Sequence, residues 1–386
     1  MFSRWLGGRW IAGSLCASAL LLAGCGDFFT KDTGGGGGGS VGSYIYVGTQ
    51  GGTLASYAVS TKGALSSLSG SPFQLSTAAI NALAVTPGNA FLYAGVAGTG
   101  VFGLSINGST GVTTLLNNNA VLVADVSPLA MTIDPSGKYL LVAGLANGTP
   151  AVGIYLINTD GTLSALTGSP VSITFPPGTD TTAAIVQSIV VAPNSSYVFV
   201  SLGQLGFAPL PFTTGGALSQ NTVVFHPGKT SSGIFNQDLG LAVNASSTAL
   251  FVGETNVGVR VFTIAANSKL TEISGSPFKA GTRPTALAFD GTGDFLYTAN
   301  TSDNAISGFS VLASGTLTPL SGSPFSSVGT QPNGLTSDQS KKFMLVTNLG
   351  SPRVQLFSFD ATTAGKLDPG ATANDITLPS AIASTR

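Results

Sequence analysis

Cysteine, histidine and charge are all scarce in this chain. Its 386 residues include two cysteines, Cys16 and Cys25, and one histidine, His226. Both cysteines lie inside or at the edge of an N-terminal leader, so the folded body has no disulfide, no thiolate nucleophile and no cysteine metal site. One histidine cannot build a histidine-rich zinc site or pair with an absent cysteine. His226 sits in the loop Phe225-His226-Pro227-Gly228 and reads as structural or incidental. Charged residues make up only 8% of the chain. The fold cannot lean on ion pairs, and the chain is no disordered polyelectrolyte. No basic run exists, which speaks against a nucleic-acid partner. No EF-hand, P-loop or dinucleotide fingerprint occurs, so neither metal nor cofactor is expected.

What is present is apolar residues and turn formers. The chain is 43% hydrophobic, with 52 glycines and 20 prolines, as an all-β protein of short strands requires. The first segment is a targeting sequence. Arg4 and Arg9 form a positive region, and residues 10–22 form an apolar run shorter than the roughly 20 residues that span a bilayer. Leu22-Ala23-Gly24-Cys25 follows and looks like a bacterial lipobox, with cleavage before Cys25 and lipidation of its thiol. The plainer reading is an ordinary secretory signal, and both readings export the protein. Without Arg4 and Arg9, 13 basic residues face 16 acidic ones, a balance of −3. Six consecutive glycines, Gly34 to Gly39, then mark a tether. The expected organisation is a leader over residues 1–24, a lipidated tether over 25–43 and a single domain over 44–386.

That domain repeats. Inner strands align on Leu83, Met131, Ile189, Leu241, Leu287 and Leu335, at steps of 48, 58, 52, 46 and 48 residues. A second column reads Phe91-Leu92-Tyr93, Tyr139-Leu140-Leu141, Tyr197-Val198-Phe199, Ala249-Leu250-Phe251, Phe295-Leu296-Tyr297 and Phe343-Met344-Leu345. Tyr44-Ile45-Tyr46 is a seventh copy that lacks an inner strand before it. About 40 to 50 residues and four strands per unit define a propeller blade. The missing strand is at the other end of the chain: Pro379-Ser380-Ala381-Ile382-Ala383 matches Pro284-Thr285-Ala286-Leu287-Ala288, with Ile382 placed 47 residues past Leu335. The prediction is a seven-bladed propeller closed by pairing of the C-terminal strand with the N-terminal blade, which removes two open sheet edges. Gly-x-Leu turns at Gly63, Gly161, Gly216, Gly315 and Gly365 start the fourth strands. Gly-Ser-Pro copies at Ser71, Ser169, Ser276 and Ser323 end them, and these are structural. Asp134, Asp290 and Asp338 read as turn formers.

These motifs resemble the seven-bladed lactonase-like propellers, the family that includes 6-phosphogluconolactonase, and are similar to the YVTN repeats of surface-layer propellers. The resemblance covers roughly residues 44–384. It implies that active members place histidine, arginine and glutamate around the channel, in a stretch like P-R-H-L-A-F-H-P followed by a strand ending N-E-L. Here Leu239 and Gly240 stand in the arginine and histidine places, and only Glu254 survives.

A lactone hydrolase needs a base for water and a donor set for the carbonyl oxygen. Glu254 is the candidate base and Arg283 its electrostatic helper, paired across adjacent blades; the alternative for Arg283 is a solvated rim charge. The ends of the second strands place Thr49, Glu254, Asn300 and Asn348 in an expected polar arc for a ligand. The alternative for Asn300 and Asn348 is capping of their own turns. Entry loops of the inner strands add Asn81, Gln187, Asp238, Gln331 and Asn333. Two functions fit: a monomeric, envelope-anchored module binding a glycan, a peptide or an envelope protein, or a hydrolase of a non-phosphorylated lactone. A sugar phosphate would want several basic residues at the mouth, and the sequence offers one.

Overall fold

The computed structural model describes residues 39–220, 233, 235–265 and 269–385. The expected leader, Cys25 and His226 lie outside the described residues. Among the described residues, thirty short strands and two three-residue 3-10 turns, Asn117–Asn119 and Thr181–Ala183, make up the regular structure. They arrange into seven antiparallel blades. Blade 1 holds Val41–Thr49, Thr53–Ser60 and Leu65–Ser67, with Pro379–Ser384 as its inner strand. Blades 2, 3, 4, 5, 6 and 7 have inner strands Ile80–Val85, Ser127–Ile133, Ala184–Val191, Asp238–Val243, Pro284–Phe289 and Pro332–Ser337. A single pairing, Gly203 with Asp238, joins blades 4 and 5 into one continuous sheet.

The ring is closed as the repeat alignment requires. Val47 pairs with Ile382, Tyr46 with Ala383 and Ile45 with Ser384. Tyr44 and Thr385 extend the seam through their backbones and the Thr385 hydroxyl. The first strand starts at Val41, inside the stretch expected as tether, because Val41 still pairs with Ser60 across a bulge.

The hydrophobic core is divided among the junctions between blades. Among the described residues there are seven apolar layers, each shared by two neighbouring blades. The layer joining blade 7 to blade 1 contains Phe343, Leu345, Ile45, Val47 and Tyr57. The second strand of each blade is buried on both faces, which explains its unbroken apolar triplets.

The Gly-x-Leu glycine serves these junctions. Gly161 has φ +82°, and a Cβ there would lie 2.5 Å from the Phe91 ring of the preceding blade. Its carbonyl accepts a hydrogen bond from the Tyr93 hydroxyl at 2.9 Å. Gly365 repeats this with Phe295 and Tyr297, and Gly63 meets Phe343 at the closing seam. The motif therefore packs on the first residue of the preceding blade's triplet, and at Gly161 and Gly365 it also takes the hydroxyl of the third.

The Gly-Ser-Pro copies have an equally local role. The fourth strand is in two pieces in blade 1, Leu65–Ser67 and Phe73–Gln74, both pairing with Thr53–Ser60. So the motif interrupts that strand rather than ending it. Near the break the Ser71 hydroxyl accepts from the Ser56 N–H. Ser169, Ser276 and Ser323 do the same for Ile154, Val261 and Gly308. Asp134, Asp290 and Asp338 hold their turns by accepting backbone N–H groups from Tyr139, Phe295 and Phe343.

Candidate functional site

All seven inner strands line one central cavity of about 210 Å³. Three consecutive positions of six of the strands, and two of the blade 5 strand, build it. The innermost apolar ring is Leu83, Met131, Ile189, Leu241, Leu287, Leu335 and Ile382. The preceding ring is small throughout: Ala82, Ala130, Ser188, Gly240, Ala286, Gly334 and Ala381. The position before that contributes Asn81, Leu129, Gln187, Thr285, Asn333 and Ser380. Among the described residues no titratable side chain lines the cavity.

A β-bulge places that third set. Register shifts fall between Ile80 and Ala82, between Pro284 and Ala286, and between Pro332 and Gly334. Asn81, Thr285 and Asn333 are the extra residues. A bulge leaves its residue out of the ladder and re-aims it, here toward the axis.

Four of these side chains are already used by the protein, and the use repeats. Asn81 Nδ2 donates to the Pro128 carbonyl at 3.1 Å, at the start of the next inner strand. Asn333 Nδ2 donates to the Pro379 carbonyl at 2.7 Å. The Ser380 hydroxyl reaches the Ile80 carbonyl at 2.7 Å. Thr285 approaches the Pro332 carbonyl at 3.5 Å, where the Thr301 hydroxyl also donates at 2.8 Å. These contacts latch the inner strands of blades 1, 2, 6 and 7 to the next inner strand around the ring. Gln187 differs. It is exposed in the cavity, and its amide makes no side-chain hydrogen bond among the described residues.

The expected polar arc faces elsewhere. Thr49, Glu254, Asn300 and Asn348 are buried within their blades and absent from the cavity lining. Thr49 Oγ1 accepts from Thr53 N. Asn300 accepts from Thr298 and donates to Ser307. Asn348 Nδ2 donates to the Pro352 carbonyl, and its Oδ1 has no partner among the described residues. The asparagines thus serve their own blades and turns.

Glu254 pairs with a different arginine from the one expected. Its carboxylate, fully buried, is bonded by Arg260 Nε from the adjacent strand Gly258–Ile264 and by Asn236 Nδ2 at 3.0 Å. Arg260 also reaches Glu272 at 2.8 Å. Arg283 is exposed, with φ +58°, and its carbonyl accepts from Thr301 N; among the described residues its side chain makes no ion pair. The reason is register. Arg260 lies across the hairpin that ends in Glu254, while Arg283 occupies a turn preceding a proline. Asp238 is cross-strand to Glu254 and buried. Burial, and then the Glu254 charge, push its carboxyl well above the usual range.

Gln187 and Asn333 therefore reach the cavity as expected from the entry loops, and Asp238 does not line it. Thr285 and Ser380 were missed as lining residues, although they occupy the same aligned column as Asn81 and Asn333. Arg260 was missed too. Its signal is a charge inside the apolar strand Gly258-Val259-Arg260-Val261. Among the described residues no three His, Cys, Asp or Glu side chains gather to hold a metal ion.

A closed seven-bladed wheel with an uncharged axial cavity is the class these features define. The family model "Lactonase, 7-bladed beta-propeller" matches residues 39–383, and the chain belongs to that family. Among solved structures, a 6-phosphogluconolactonase-like protein of Bacteroides fragilis is similar, with 18% identity and a TM-score of 0.69 over 89% of this chain and 98% of that one. The Pseudomonas aeruginosa periplasmic gluconolactonase PpgL is 19% identical, with a TM-score of 0.65 over 89% and 99%. A protein from Lactobacillus plantarum is 17% identical, with a TM-score of 0.66 over 89% and 99%. At these identities the likeness shows the fold alone. No curated protein sequence matches.

Proposed function

We propose that this protein is an exported, lipid-anchored propeller that binds a small uncharged ligand at its axis and does not hydrolyse it. The observation that carries the reading is the uncharged lining, in which Gln187 offers a free amide to a ligand among the described residues. General base catalysis needs a titratable group within hydrogen-bond reach of the attacking water. Glu254, the one glutamate matching the family pattern, is engaged by Arg260 and Asn236 inside blade 5. A phosphorylated ligand would bring two negative charges into a site with no cation. An uncharged polyhydroxy molecule fits better, such as a sugar lactone, a glycan end or a neutral peptide segment. The name of the Pseudomonas aeruginosa relative, a periplasmic gluconolactonase, agrees with an exported setting and an uncharged sugar lactone. Export and the anchor rest on Arg4, Arg9 and the Leu22-Ala23-Gly24-Cys25 motif.

The alternative is a hydrolase of a non-phosphorylated lactone. It is favoured by the family and by Asp238, a buried carboxyl cross-strand to Glu254 whose pKa burial raises. The test uses D-glucono-δ-lactone with wild type, Glu254→Gln and Gln187→Ala, followed by calorimetry and by acid release. The binding reading expects saturable heat lost in Gln187→Ala and acid release no faster than in buffer. Turnover that disappears in Glu254→Gln overturns it in favour of the hydrolase.

A further inference from the structure

Lys62, Lys341 and Lys342 converge on one groove of about 430 Å³ between blades 7 and 1. Thr61 contributes a hydroxyl, and Phe343 and Phe359 line the groove beside them. All three lysines are exposed, and none forms an ion pair among the described residues. Nearby acids are engaged elsewhere. Asp338 accepts backbone N–H groups of its own turn, and Asp360 is bonded by Thr362 and Lys366. In a chain with so few cations, three unpaired ones in a single groove form a local positive field against a net negative body.

The groove adjoins the point where the chain enters the propeller. Thr61 N donates to the Ser40 carbonyl at 2.8 Å. A Cβ on Gly39 would lie 2.7 Å from Thr61 Oγ1 and 3.1 Å from the Lys62 side chain. Gly39 is fourteen residues beyond Cys25. Fourteen residues can bridge at most about 50 Å. An acyl chain on Cys25 would hold this edge of the wheel within reach of a bilayer surface.

We infer that the Lys62, Lys341 and Lys342 groove docks the propeller on anionic phospholipid headgroups, with the phosphate seated among the three ammonium groups. This rests on the anchored reading given above. It orients the wheel on its membrane, where the lipid alone would leave it to tumble. Each lysine near an anionic surface strengthens partitioning by about fivefold, so three together give on the order of a hundredfold.

The test uses residues 39–386, which contain every strand of the ring and no acylation site. Co-sedimentation is measured with phosphatidylcholine vesicles and with vesicles containing phosphatidylglycerol, at low and high salt. The variant combines Lys62→Gln, Lys342→Gln and Lys341→Asn, since asparagine tolerates the +60° φ of position 341. The expected result is salt-sensitive binding to the anionic vesicles alone, falling on the order of a hundredfold in the variant. Equal binding to both vesicles, or an unchanged variant, overturns the inference. So does saturation by inorganic phosphate without vesicle binding. Mass spectrometry of the Cys25 peptide from the full chain tests the anchor separately. An unacylated Cys25 with vesicle binding intact sinks the anchor and leaves the groove standing.

Discussion

Replacing Asn333 and Gln187 in turn by alanine separates two roles that a sequence column cannot. Asn333 donates to the Pro379 carbonyl and accepts from the Thr347 hydroxyl. Thr347 is fully buried, so its hydroxyl loses a partner that water cannot replace in place. Two lost hydrogen bonds, with buried groups left unsatisfied, cost about 2–3 kcal/mol. Unfolding entropy near 2 cal/mol/K per residue, over roughly 350 residues, converts that to a drop in Tm of about 3–4 °C. Because Pro379 begins the strand that closes the ring, the loss falls on the seam. Gln187 makes no such bond, so Gln187→Ala should stay within about 0.5 kcal/mol of wild type. Urea midpoints and calorimetric scans measure both. The latch argument fails if Asn333→Ala melts with wild type, or if Gln187→Ala falls by as much.

The other predictions follow from single contacts. Arg260→Met leaves the fully buried Glu254 carboxylate without its cation and should cost about 3–5 kcal/mol, read from urea unfolding. Adding Glu254→Gln should restore much of that loss. Asp238 has a raised pKa in the folded state, so its contribution is fully present below about pH 4 and is lost as pH rises through its folded value. Asp238→Asn should flatten this decline in urea midpoints measured between pH 4 and 8. Gly161→Ala adds a Cβ against Phe91 in a left-handed turn, whereas Gly168, also left-handed, has open space around its Cβ position. The first should cost about 2–3 kcal/mol and the second about 1, by the same assay.

The repeat was legible because short strands advertise themselves. Apolar columns at near-constant steps set the blade number, and the orphan strand at Ile382 set the closure. Asp134, Asp290 and Asp338 were readable as turn formers because an aspartate bonds its own backbone within a few residues. The site was less legible. Position along a strand left Asn300 and Asn348 open between a ligand arc and capping of their own turns, and they turn into their blades and bond Ser307 and Pro352. The bulge at the preceding strand decides this, since one extra residue re-aims Asn81, Thr285 and Asn333 toward the axis.

Sequence thus determined turn chemistry through neighbours a few residues apart, and strand order and ring closure through the repeat spacing along the whole chain. Tertiary structure decided which polar groups remain unspent. Whether Glu254 meets Arg260 or Arg283, and whether a mouth amide holds the next blade or stays open like Gln187, depends on contacts across hairpins and between blades. Those distances are set by register and ring packing, and no local pattern encodes them.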